Sequence, residues 1–113
     1  MFVEQRIYTL VPGGTAEYLT LYAGYGRAAQ ERILGRMLGC FTTEIGPLNQ
    51  LIYLWPFDSL EERTRRRTAL MSDSGFRIPD SGFRDFRGKV RHLLVRQENL
   101  ILKQEIGGEP VER

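Results

Sequence analysis

Residues 2–11 alternate in character. Val3, Gln5, Ile7, Thr9 and Val11 fall on one side, and Phe2, Glu4, Arg6, Tyr8 and Leu10 on the other. A period of two built from β-branched and aromatic residues predicts a strand, which Pro12, Gly13 and Gly14 end. The period then lengthens. Leu19, Tyr22, Gly26, Ala29 and Ile33 recur at helical spacing, widened by Tyr18 and Tyr25, and predict one helix over 16–34 with an inward apolar stripe. Thr15 is the expected N-cap, Glu17 lies at the positive helix end, and Gly35 follows the last turn.

Alternation returns over 36–45, where Met37, Gly39, Phe41, Thr43 and Ile45 interleave with Leu38, Cys40, Thr42 and Glu44. A turn signal, Gly46, Pro47, Leu48 and Asn49, separates this strand from a third over 50–57. There Leu51, Tyr53, Trp55 and Phe57 share a face, and Ile52 and Leu54 take the other. The short connection makes the two strands antiparallel neighbours. Ser59 and Glu62 have the spacing of a capping box. The helix it opens, 60–72, should turn Leu60, Thr64, Arg67 and Met71 inward and Arg63, Arg65 and Arg66 to solvent.

The segment Asp73 to Arg77 recurs as Asp80 to Arg84, a direct repeat with a period of seven. The first copy is expected to form an inserted loop and the second to lead into a helix over about 83–93. A last strand, 94–102, completes the core, and 104–113 forms a loose tail. The order β-α-β-β-α-β predicts an α+β, ferredoxin-like protomer in one domain, 1–103. Its four-stranded antiparallel sheet has order 4-1-3-2, with both helices on one face. The opposite face still carries large apolar residues, so a homodimer with two sheets packed face to face is expected.

Composition narrows the partners. Sixteen Lys and Arg stand against 14 acids, a net charge of +2, which favours neither nucleic acid nor an anionic membrane. The Arg63 to Arg67 run is flanked by Glu61 and Glu62, so a solvated helix face is expected there. No apolar run approaches 18 residues, so no membrane span is expected. The first residues carry no basic segment followed by an apolar one, and Cys40 is the single cysteine. A cytoplasmic protein without an intrachain disulfide is the expectation.

Four segments carry a resemblance. Arg6 to Gly13, Leu34 to Gln50, Leu54 with Trp55 and Asp58 to Leu60, and Leu93 to Asn99 resemble the NIPSNAP family over about 2–103. The run Thr42 to Asn49 together with Arg96 to Asn99 is the most specific part. The resemblance implies a dimeric α/β barrel of ferredoxin-like protomers, alongside the antibiotic-biosynthesis monooxygenases. It implies no settled enzymatic activity. The mitochondrial role of animal members goes with a transit segment and is not carried over. Residues 73–79 depart from the family pattern as a seven-residue duplication.

The candidate chemistry is sparse. One His and one Cys offer no ligand cluster, so neither a metal site nor a cofactor is expected. No nucleophile motif is present, and Cys40 suits a small buried hydrophobe. Tyr53, Trp55, Phe41, Gln97 and Asn99 share odd parity and combine aromatic walls with amides, the chemistry of a small-molecule pocket or of an ordinary core. Arg6, Tyr8, Glu44, Arg96 and Glu98 share even parity, with Arg6 able to pair with Glu98 or Glu4. They form either a structural salt-bridge network or a polar pocket for a small organic acid. Three functions stay open: binding of a small apolar or aromatic molecule between sheet and helices, a non-enzymatic homodimeric stress or interaction module, and a cofactor-independent monooxygenase or isomerase. The resemblance to dimeric-barrel proteins, some of which degrade haem, adds a haem-binding protein with His92 as the ligand.

Overall fold

β1 (Phe2–Leu10) pairs antiparallel with β3 (Gln50–Phe57) on one side and β4 (Leu94–Lys103) on the other, and β2 (Gly39–Thr42) pairs with the far edge of β3. The order β2-β3-β1-β4 is the expected 4-1-3-2 sheet seen from its other end. The structure is a computed structural model and describes residues 1–74 and 82–107. The repeat residues 75–81 and the tail residues 108–113 lie outside those described.

The helical layer covers one face. α1 (Thr15–Leu21), a π turn (Tyr22–Gly26) and α2 (Arg27–Leu34) follow without a break. α3 (Leu60–Met71) and α4 (Phe83–Val90) complete the layer, and a 3-10 turn (Arg91–Leu93) leads into β4. Tyr8, Leu10, Leu51, Tyr53, Trp55 and Phe57 from the sheet meet Tyr18, Tyr22, Leu34, Leu70, Phe86 and Val90 from the helices in one core. These are the alternating strand positions and the helical stripe, each burying its apolar side against the other.

Three local expectations are corrected. The single helix over 16–34 contains a π turn, which brings both Tyr22 and Gly26 inward. A Cβ on Gly26 would lie 2.8 Å from the Phe86 ring, so glycine lets α4 press on the backbone there. Thr15 is the first helical residue and Gly14 the cap: Gly14 N donates to Val11 O (2.9 Å) and Gly14 O accepts from Tyr18 N (3.0 Å). The second strand covers Gly39–Thr42 where 36–45 was expected. The connection from 43 to 49 is a long loop held by Asn49, which takes a left-handed φ of 60°. Its carbonyl accepts from Leu10 N (2.8 Å) and its side chain from Gly13 N (3.3 Å), anchoring the loop to the end of β1.

Two helix starts show how polar groups fix the layer. Ser59 Oγ accepts from Glu62 N (3.0 Å), and the Glu62 carboxylate accepts from Asp58 N (3.0 Å), one residue ahead of the usual box. α4 has glycine at its cap, Gly82, and takes its acceptor from elsewhere. Asp73 Oδ2 accepts from Phe83 N (2.9 Å) while both its oxygens accept from Arg32 (3.0 Å). One carboxylate thus ties α2 to the positive end of α4.

Candidate functional site: an arginine-walled cleft between sheet and helices

Register decides which strand residues meet. Glu4 lies opposite Trp55 and Ile101, Arg6 opposite Tyr53 and Asn99, and Tyr8 opposite Leu51 and Gln97. Even positions of β1 therefore share the helix-facing side with odd positions of β3 and β4. Arg6, Tyr8, Tyr53, Trp55, Gln97 and Asn99 come together on that side. Phe41 lies opposite Ile52 on the other face and is 52% exposed. Arg96 and Glu98 lie opposite Thr9 and Ile7 on that same outer face. They bond each other at 2.8 Å with both side chains largely exposed, so they contribute little. Glu44 is exposed in the 43–49 loop. The grouping by parity alone thus mixes two faces, because the register between strands sets parity afresh for each pair.

At the centre of the helix-facing side sits Glu4, fully buried. Its Oε2 accepts from Arg63 Nη2 (2.7 Å), Asn99 Nδ2 (2.9 Å) and Arg6 Nη1 (3.1 Å), and its Oε1 from Arg63 Nε (3.2 Å). Burial alone would raise this carboxyl. The hydrogen bonds from Arg63 and Asn99 and the positive charges of Arg6 and Arg67 outweigh it and hold Glu4 down at about 2. Arg6 Nε also donates to the Tyr8 hydroxyl (2.9 Å). Of the two pairings open to Arg6, the structure shows Glu4.

Arg63 was expected on the solvent side of its helix. It turns inward because Glu4 on β1 is the buried acceptor that its guanidinium reaches. Arg66 joins Glu62 (2.9 Å), and Arg65 remains exposed. The inward side of α3 thus carries Arg63, Arg67 and Leu70, while Leu60, Thr64 and Met71, expected inward with Arg67, are exposed.

Beside this cluster a cleft of about 330 Å³ opens between β1, β4, α3 and α4. Tyr18, Phe83, Phe86 and Val90 form much of its apolar wall, with Met71 and Leu94. Tyr8, Gln97 and the arginines Arg67, Arg87 and Arg91 supply polar groups. No carboxylate stands among its described lining residues. Tyr53 and Trp55 do not line it. Both are completely buried behind it, with rings stacked at 6.3 Å, and Trp55 Nε1 has no hydrogen-bond partner among the described residues. Tyr53 donates to the Tyr18 hydroxyl (3.0 Å), and Tyr22 donates to Gln30 Oε1 (2.6 Å). Burial pushes all three phenols well above their ordinary range, so they are neutral.

The other reactive types lie elsewhere. His92 is exposed on the 3-10 turn, 3.5 Å from Glu17. Cys40 lies opposite Tyr53 on β2, and burial pushes its thiol up to about 11. Among the described residues no group of three or more His, Cys, Asp or Glu could hold a metal ion, and no helix is long and apolar enough to cross a membrane.

A four-stranded antiparallel sheet in this order, roofed by helices on one face with a cleft between the layers, defines a ferredoxin-like α+β protein. The NIPSNAP family model matches residues 3–104. The chain belongs to the NIPSNAP family. It is similar over 98% of its length to an uncharacterized NIPSNAP-like domain protein from Burkholderia xenovorans, with 38% identity, 90% of that chain covered and a TM-score of 0.85. It is 34% identical over 65 residues to the NipSnap homolog of Dictyostelium discoideum, 57% of this chain but 28% of that protein, so it spans well under half of that relative's length. A putative antibiotic biosynthesis monooxygenase from Nitrosomonas europaea shares the fold at a TM-score of 0.64 and 6% identity, covering 94% of this chain and all of the other.

Proposed function

We propose that the protein binds a small, largely apolar molecule in the cleft between sheet and helices, and that two copies pair through their uncovered sheet faces. The observation that supports binding is the cleft. Its volume of about 330 Å³ lies within the usual range of small-molecule sites, and it pairs an aromatic wall with a few convergent polar groups. Met71 lies at its edge and is 41% exposed. Titration with the neutral dye N-phenyl-1-naphthylamine tests the reading. Saturable fluorescence enhancement is expected, and Met71→Trp, which fills the cleft, abolishes it. A flat titration, or one unchanged by Met71→Trp, overturns the reading.

Pairing is supported by the other face. Val3, Ile7, Ile52 and Leu54 are only partly covered there, and Leu100 and Leu102 are 55% and 45% exposed. Such an apolar face on a small protomer supports an interface there. Sedimentation is expected to give twice the 13.1 kDa chain mass, and Leu54→Asp to return it to one chain. A single-chain mass for the unaltered protein at micromolar concentration refutes the pairing.

A further inference from the structure

The cationic cluster beside the cleft is unbalanced. One buried carboxylate, Glu4, faces three guanidinium groups, Arg6, Arg63 and Arg67. Its two oxygens already accept four hydrogen bonds from Arg6, Arg63 and Asn99, three of them on Oε2 and one on Oε1. None of the four comes from Arg67. Arg67 Nη1 is buried and has no hydrogen-bond partner among the described residues. A buried cation without an acceptor is costly, and arginine does not escape that cost by losing its proton at neutral pH. Burial, and then the positive charge of Arg6, already pushes Arg67 below the ordinary arginine value.

The same residue forms part of the cleft wall, with Arg87 and Arg91 nearby in that wall and no acid among the described lining residues. Tyr8, also in the wall, accepts from Arg6 at its hydroxyl oxygen, which leaves the hydroxyl proton to donate. The arginine that carries the unmet donor, the excess positive charge and the apolar floor lie around one space.

We propose that the cleft takes a molecule with a carboxylate on an aromatic or apolar body, and that Arg67 is the residue that binds the carboxylate. Its planar fork of donors suits two parallel hydrogen bonds to such a group. The apolar body lies against Phe83, Phe86 and Val90, and Gln97 and the Tyr8 hydroxyl supply further polar contacts. This inference rests on the cleft being a ligand site. It deepens that reading by naming the ligand's charge and the residue that recognises it.

The test is displacement of bound N-phenyl-1-naphthylamine from the full chain by 2-naphthoate and by its neutral counterpart 2-naphthamide. The carboxylate is expected to displace the dye at a concentration at least about tenfold lower, the minimum for a charge-assisted hydrogen bond. Arg67→Met is expected to bring the two competitors within about twofold of each other while dye binding persists. The ligand-free variant should also melt no lower, because removing a buried unpaired nitrogen offsets the loss of a charge that favours ionised Glu4. An arginine with a purely structural role gives the opposite, a lower melting temperature. Equal potency of the two competitors on the unaltered protein overturns the proposal, and this comparison needs no variant to fold. A preference for naphthoate that survives Arg67→Met overturns it as well. In both cases dye binding leaves the cleft reading standing, whereas a dye that does not bind removes both.

Discussion

Glu4→Gln removes one charge and almost no volume, and the structure sets its cost. Glu4 is completely buried and its carboxyl is held at about 2 against an ordinary 4.5. That difference, at about 1.4 kcal/mol per pKa unit, is worth about 3 kcal/mol of stability at neutral pH. The figure agrees with the 3–5 kcal/mol typical of breaking a buried ion pair from one side. The sign follows from the depressed folded-state value. The unfolded chain takes up its proton near 4.5 and the folded one only near 2, so the contribution is complete above pH 4.5 and is lost as pH falls toward 2. At pH 3 about 1 kcal/mol should remain. Urea unfolding of both proteins at pH 7, 5 and 3, at one fixed protein concentration because pairing would shift the midpoint, measures the gap directly. A gap below about 1 kcal/mol at pH 7, or one that stays constant down to pH 3, refutes the argument that the Arg63, Asn99 and Arg6 contacts hold Glu4 ionised.

Gly26→Ala is expected to cost about 1–3 kcal/mol, since its Cβ would lie 2.8 Å from the Phe86 ring; Phe86→Leu in the same chain should make the alanine cheaper, and strict additivity of the two costs would contradict the contact. Cys40, with its thiol pushed from 9.0 to about 11, should carry about a hundredfold less thiolate at pH 8 than in the unfolded chain, so iodoacetamide should label it correspondingly more slowly; equal rates with and without urea would refute this. Ser59→Ala removes the acceptor of the 3.0 Å bond from Glu62 N and should cost about 1 kcal/mol in urea unfolding, a loss that would be absent if Glu62 alone capped α3.

Hydrophobic period is a local property, and for β1, β3 and α3 the chain determined it by itself. Alternation in Phe2 to Leu10 and in Gln50 to Phe57 can bury an apolar side only as strands. The Ser59 and Glu62 spacing sets the start of α3 at Leu60. Two strands, two helices and a hairpin order then leave the sheet order β2-β3-β1-β4 as the arrangement that covers both helical stripes. The site was only partly legible. Arg6, Tyr8, Gln97 and Asn99 stood out as polar residues on apolar strands, but which of them share a face depends on how β1 registers against β4. That register sets Arg6 opposite Asn99 and Tyr8 opposite Gln97, a pairing that no single strand's pattern contains. Arg63 lies in a run that reads as a solvated face. It becomes inward-facing only because folding sets Glu4, 59 residues away in the chain, within reach of its guanidinium. Whether a charge is compensated depends on neighbours brought together by folding, so an Arg67 nitrogen without a partner among the described residues was decided by the tertiary structure alone.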